Sequence, residues 1–162
     1  FLTGPAFASC QTDGLKFDHA QLRATPPNAP VSAGYLQITN STGQTQTLVS
    51  ASASFAKRAE IHNMKHDSGV MKMYEIERGL AVPDRFTVAL MPKGRHLMFM
   101  DLDRQLKEDD IFSVTLEFVP CGRVTLPFHV TRLPGLVHTH GETHTKGHKQ
   151  KDHDHKQHDH SH

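Results

Sequence analysis

Three short segments carry side chains whose types and spacing could do chemistry. Ile61-His62-Asn63-Met64 sets His62 and Met64 two positions apart, and Val70-Met71-Lys72-Met73 repeats that spacing with two thioethers. His96-Leu97-Met98-Phe99-Met100 repeats it again. In an extended chain the side chains at i and i+2 share a face. His96, Met98 and Met100 therefore stand together, while Leu97 and Phe99 take the other side. A single histidine in a strand is more often structural, and methionine is an ordinary core filler. The signal is the recurrence of the pattern three times between His62 and Met100.

Imidazole and thioether are neutral donors, and here they converge with no thiolate and no clustered carboxylate. Soft sulfur of this kind selects Cu(I) over Zn(II), Mg(II) or Ca(II). Two His and two Met leave the +1 charge without a compensating anion, which suits a near-surface site that exchanges its metal. A blue-copper centre needs a Cys thiolate beside a His. Cys121 lies between Pro120 and Gly122 and has no such neighbour. The two cysteines, Cys10 and Cys121, stand 111 residues apart, form no CxxC pair and have no His close by in sequence as a zinc finger would require. Neither a nucleophile elbow nor a Gly-rich phosphate loop is present. The chemistry is metal binding rather than catalysis.

A second set of donors lies at the C-terminal end. Nine of the fourteen histidines fall in the stretch 138–162: His138, His140, His144, His148, His153, His155, His158, His160 and His162. With Met64 they are the auxiliary metal ligands. Imidazoles at this density bind Cu(II), Zn(II) or Ni(II), with affinity falling as they protonate below about pH 6.5. They alternate with Lys, Asp, Gln and Gly, unlike the unbroken run of an affinity tag. After Val137 the chain offers no core-forming residue, so 138–162 is expected to be a disordered His-rich tail. Tethered to the domain, it would raise the local copper concentration toward roughly the millimolar range.

The elements that must position the first set read as short strands: Gly34–Asn40, Gln46–Ser54, Arg58–Met64, Val70–Ile76, Arg85–Met91, His96–Leu102, Ile111–Val119 and Arg123–Thr131. Each is rich in β-branched or aromatic residues and bounded by turn residues. Asp67-Ser68-Gly69 is a turn that folds Val70–Met73 back on Arg58–Met64. Residues 9–32 read as irregular, with Thr25-Pro26-Pro27-Asn28-Ala29-Pro30 excluding helix and central strand alike. Leu102–Asp110 is too short and charged for a helix and reads as a turn. The fold class is all-β, an antiparallel Greek-key β-sandwich. Asn40-Ser41-Thr42 matches a glycosylation sequon.

One domain accounts for the 162 residues. Lys plus Arg (18) balance Asp plus Glu (17) with no basic stripe, which argues against nucleic acid as a partner. No apolar run approaches the roughly 18 residues of a membrane span. Ala6-Phe7-Ala8 has the small-x-small form of an export cleavage site, so residues 1–8 read as the remnant of an export signal, with maturation near Ser9. That start removes the amino-terminal His brace of copper oxygenases. The domain then runs over 9–137. Export would permit a Cys10–Cys121 disulfide, adding up to about 4 kcal/mol. The rival reading makes Phe7-Ala8-Ser9-Cys10 a degenerate lipobox with lipid on Cys10.

The same residues resemble the PCu(A)C family of periplasmic copper chaperones, whose pattern is His, ten residues, Met, about twenty-one residues, His-x-Met. Here ten positions separate His62 from Met73, and 22 separate Met73 from His96-Leu97-Met98, one more than that pattern. Arg23-Ala24-Thr25-Pro26-Pro27, Ala33-Gly34-Tyr35, Glu60-Ile61-His62, Gly69-Val70-Met71-Lys72-Met73 and Met100-Asp101-Leu102 also match, and the similarity spans roughly residues 17–130. The resemblance implies a cupredoxin-like sandwich binding Cu(I) through His62, Met73, His96 and Met98. It further implies a periplasmic location and delivery to the copper-receiving subunit of cytochrome c oxidase, alongside Sco-type thiol proteins. The expected state is a monomer, with a copper-bridged dimer as the alternative. A competing function is copper or zinc sequestration, with the tail as the working part.

Overall fold

The computed structural model describes residues 12–132 and 134–135. Ten strands follow a short 3-10 turn at Thr12–Gly14: β1 (Leu15–Arg23), β2 (Val31–Asn40), β3 (Gln46–Ala53), β4 (Ala56–Asp67), β5 (Val70–Glu75), β6 (Leu80–Val82), β7 (Thr87–Leu90), β8 (His96–Leu102), β9 (Ile111–Val119) and β10 (Gly122–Thr131). The hydrogen-bonded order is β5-β4-β8-β2-β1-β10-β9-β3-β6, and β7 pairs with β2 beyond the end of β8. Consecutive strands such as β3 and β4 are not neighbours in this order. The connections cross between two facing layers, as in a Greek key, and β1 joins the layers.

Alternation decides which side chains fill the interior. Leu97 and Phe99 of β8, Val114, Leu116 and Phe118 of β9, and Phe128 and Val130 of β10 are buried at every second position. Phe55 ties the layers together. Its ring lies 5.1 Å from Phe99 and 5.0 Å from Phe112, in tilted and edge-on geometries that favour aromatic pairs. Leu106, between β8 and β9, is fully buried, and its amide donates to Thr25 Oγ1 at 3.0 Å.

Three sequence expectations need correction. Residues 9–32 are not uniformly irregular, because Leu15–Arg23 forms β1. Its alternation is broken by a bulge between Asp18 and Gln21, where His19 takes φ 54°, so the period-2 signal is lost. Leu80–Val82 is an additional strand too short to show periodicity. The sandwich is also not wholly antiparallel: β1 and β10 run parallel, with Leu22 beside Val130. A parallel pair needs no tight turn when its strands lie at opposite ends of the sequence.

Asn40 is fully buried, and its amide nitrogen donates to the carbonyls of Gln44 (2.8 Å) and Val82 (2.7 Å). That nitrogen is a structural donor with no room for a glycan. Gly79 shows where a side chain is forbidden: its φ is +82°, and a Cβ would sit 2.6 Å from the Leu48 carbonyl oxygen. Gly79→Ala should therefore destabilise the fold by roughly 1–3 kcal/mol or more, read as a lower urea midpoint.

Candidate metal centre

The β4–β5 turn has Ser68 at φ 50° and Gly69 at φ 82°, the two positive values that match a tight hairpin to strand twist. It sets the register Met64 opposite Met73 and His66 opposite Met71. On the other side of β4, β8 places His96 opposite His62 and Met98 opposite Glu60. Directly opposed residues share a face. With Ile61, Leu97 and Phe99 turned into the core, the opposite face of these three strands collects His62, Met64, Met73, His96 and Met98. The His62 and His96 rings meet edge-on with centroids 5.7 Å apart. His62 stands diagonal to Met98 on β8 and to Met73 on β5, a relation that long side chains can span. Met73 is 48% exposed, so the centre opens to solvent at β5.

Each imidazole is held with one nitrogen engaged. His96 Nδ1 lies 2.9 Å from the Gly94 carbonyl, which can only accept, so Nδ1 carries the proton and Nε2 keeps its lone pair. Burial pushes the His96 pKa below its ordinary value. The Gly94 hydrogen bond opposes that shift and the neighbouring His62 adds to it. The net effect favours the neutral ring. His62 Nε2 lies 2.7 Å from Glu60 Oε2, which can only accept, so Nε2 carries a proton and the neutral form of the ring has its lone pair on Nδ1. That atom is buried with no hydrogen-bond partner. A buried acceptor left unmet costs about 1–3 kcal/mol, and a coordinated cation satisfies it. Among the described residues no group of three or more His, Cys, Asp or Glu could hold a metal ion. An ion at this face must therefore take thioether sulfur as well.

Residues 15–130 match the family model described as "Putative lipoprotein LpqE-like". The chain belongs to the LpqE-like family. It is 32% identical over 123 residues to "Putative lipoprotein Lxx21020" of Leifsonia xyli subsp. xyli, covering 72% of this chain and 74% of that protein. Among solved structures, the Cu(I) form of DR1885 from Deinococcus radiodurans aligns with a TM-score of 0.58 at 28% identity, over 72% of this chain and 76% of that one. The apo PCuAC domain from PmoF1 aligns with a TM-score of 0.61 at 21% identity, over 73% and 93%. The cupredoxin-like fold and the PCu(A)C resemblance thus hold for this LpqE-like domain.

One chemical expectation fails in this LpqE-like domain. The donor set is expected to leave the +1 charge without a compensating anion, yet Glu60 sits against His62 and pairs with Arg58 at 3.5 Å. Glu60 is two positions before His62 on the same strand, so the i, i+2 rule that groups His62 with Met64 also applies to it. Arg58 reaches Asp101 at 3.3 Å and donates toward Met100 Sδ at 3.6 Å. Met100 is thus engaged away from the two histidines. Tyr35, buried with its ring 6.4 Å from His96, and the Gly94 carbonyl are invisible as site residues in the sequence because they come from other strands and loops. Cys121 is not a free cysteine. Cys10, residues 1–8 and the tail histidines from His138 to His162 lie outside the described residues.

Proposed function

We propose that this domain is a copper chaperone that carries one Cu(I) on His62, Met73, His96 and Met98 and performs no bond-making chemistry. The observation that carries this reading is the buried, unpartnered Nδ1 of His62 beside His96, on a face that also carries the thioethers of Met64, Met73 and Met98. The relation to the Cu(I) form of DR1885 supports it. Four neutral donors bind a soft monovalent ion without sealing it, because Met73 remains half exposed. A partner's donors can displace that thioether first and take the ion by ligand exchange. Glu60 supplies negative charge beside the centre and holds the His62 ring, so the domain need not bury an uncompensated cation.

The test is a Cu(I) titration against a chromophoric chelator, performed with and without residues 138–162. One Cu(I) should remain with the domain when the tail is deleted. Loss of all tight Cu(I) binding on deletion would overturn the assignment and favour sequestration by the tail, for which its nine histidines speak. Glu60→Ala should weaken Cu(I) binding by roughly 10–100-fold, as loss of a partner that orients a ligating His does. The ring ¹⁵N shifts of His62 should at the same time lose their single-tautomer pattern.

In this reading the tail captures Cu(II), or Zn(II) and Ni(II) in its absence, and concentrates copper near the domain. The protein works outside the cytoplasm, in the periplasm, as a monomer. It delivers to the copper-receiving subunit of cytochrome c oxidase with a Sco-type thiol protein, as the PCu(A)C resemblance implies. Cys121 pairs with Cys10. A lipid on the Cys10 sulfur would exclude that bond, so the mass of the exported protein, measured with and without reductant, decides between them.

A further inference from the structure

Beyond the two histidines, β4 and β5 continue as a hairpin that adds little to the core. After Ile61 no residue of β4 is buried, and every residue of β5 is exposed. Its two faces have different chemistry. One is polar and self-satisfied: Asn63 donates to Tyr74 Oη at 3.1 Å, Lys65 lies 5.7 Å from the Tyr74 ring centroid, and Lys72 pairs with Asp67 at 2.8 Å. The other carries Met64 opposite Met73 and His66 opposite Met71. On this face His66 makes no hydrogen bond or ion pair among the described residues, and Met71 is 45% exposed. Exposed methionines bury little apolar area, so packing does not explain them. Their side chains are soft donors standing beside an unengaged imidazole.

We propose that Met64, His66 and Met71 form a second, shallower Cu(I) site on this hairpin, continuous with the centre at His62 and His96. The proposal rests on the copper reading above. His66 lies four positions beyond His62 on the same strand face, about 13 Å along the strand at roughly 3.3 Å per residue. One imidazole and two thioethers suffice for a soft monovalent ion. Greater exposure makes this site the weaker and faster of the two. Met73, opposite Met64, lies between them, so an ion held at the tip passes inward by exchanging one thioether for the next. The cargo is loaded and unloaded through the hairpin tip.

The experiment uses the full chain with ¹³C-methyl-labelled methionine and Ag(I), which mimics Cu(I) without redox chemistry. The first equivalent should move the Met73 and Met98 methyl signals, and the second should move Met64 and Met71. In the His66→Ala/Met71→Leu variant the first phase should be unchanged, while the Met64 shift in the second phase weakens at least tenfold. The proposal is overturned if Met64 and Met71 stay still through two equivalents because the tail takes the excess. It is equally overturned if they move with Met73 during the first equivalent, which means one shared site. A first equivalent that leaves Met73 and Met98 untouched defeats instead the copper centre itself.

Discussion

His96→Ala is expected to lower Cu(I) affinity at least about a hundredfold while leaving the fold intact. Loss of a partner that merely orients a ligand costs roughly 10–100-fold, and removing a donor atom should exceed that. Of the proposed ligands His96 is the most completely prepared: its Nδ1 proton is committed to Gly94, burial favours the neutral ring, and Nε2 is free to coordinate. Alanine removes all three features at once. It does not open the core, because His96 stands on the face opposite Leu97 and Phe99. Chelator competition measures the affinity, and far-UV circular dichroism with a urea midpoint checks the fold. Met73→Ala should also weaken binding while perturbing stability still less, since its side chain is half exposed. Unchanged affinity in both variants would falsify the ligand assignment.

Phe99→Ala should have the opposite character. Phe99 is fully buried, packs its ring against Phe55 and comes close to Gly34, where an added Cβ would lie 2.9 Å from Phe99 Cε2. Truncating a buried Phe costs about 3–5 kcal/mol, a large part of the roughly 5–15 kcal/mol that holds an ordinary domain. Chemical denaturation should show the loss directly. Its neighbour Met98 provides the contrast. Met98→Ala touches the outer face and should reduce Cu(I) affinity with a stability change well below that of Phe99→Ala. Two adjacent positions with exchanged phenotypes test the pleat of β8, because a one-residue register slip would invert both results.

Much of this was legible along the chain. His96–Leu102 and Ile111–Val119 match β8 and β9 residue for residue, because Leu97/Phe99 and Val114/Leu116/Phe118 alternate plainly and turn residues bound the segments. The Asp67-Ser68-Gly69 turn marked the β4–β5 hairpin, since few residues besides Gly tolerate the backbone it needs. β1 was not legible: the bulge at His19 destroys its period, and its partner β10 lies near the other end of the domain. Glu60 was legible and overlooked, since it shares the strand face of His62.

From its own order of residues this protein determined the donor types, their two-residue spacing and the apolar side on which each strand must be buried. Those follow from covalent geometry and the alternation of an extended chain. The tertiary structure alone decided that His62 stands across from His96 and which nitrogen of each ring is free. Strand pairing between distant segments depends on how the whole core packs. The state of each imidazole in turn depends on the carboxylate and the carbonyl that this packing brings beside it.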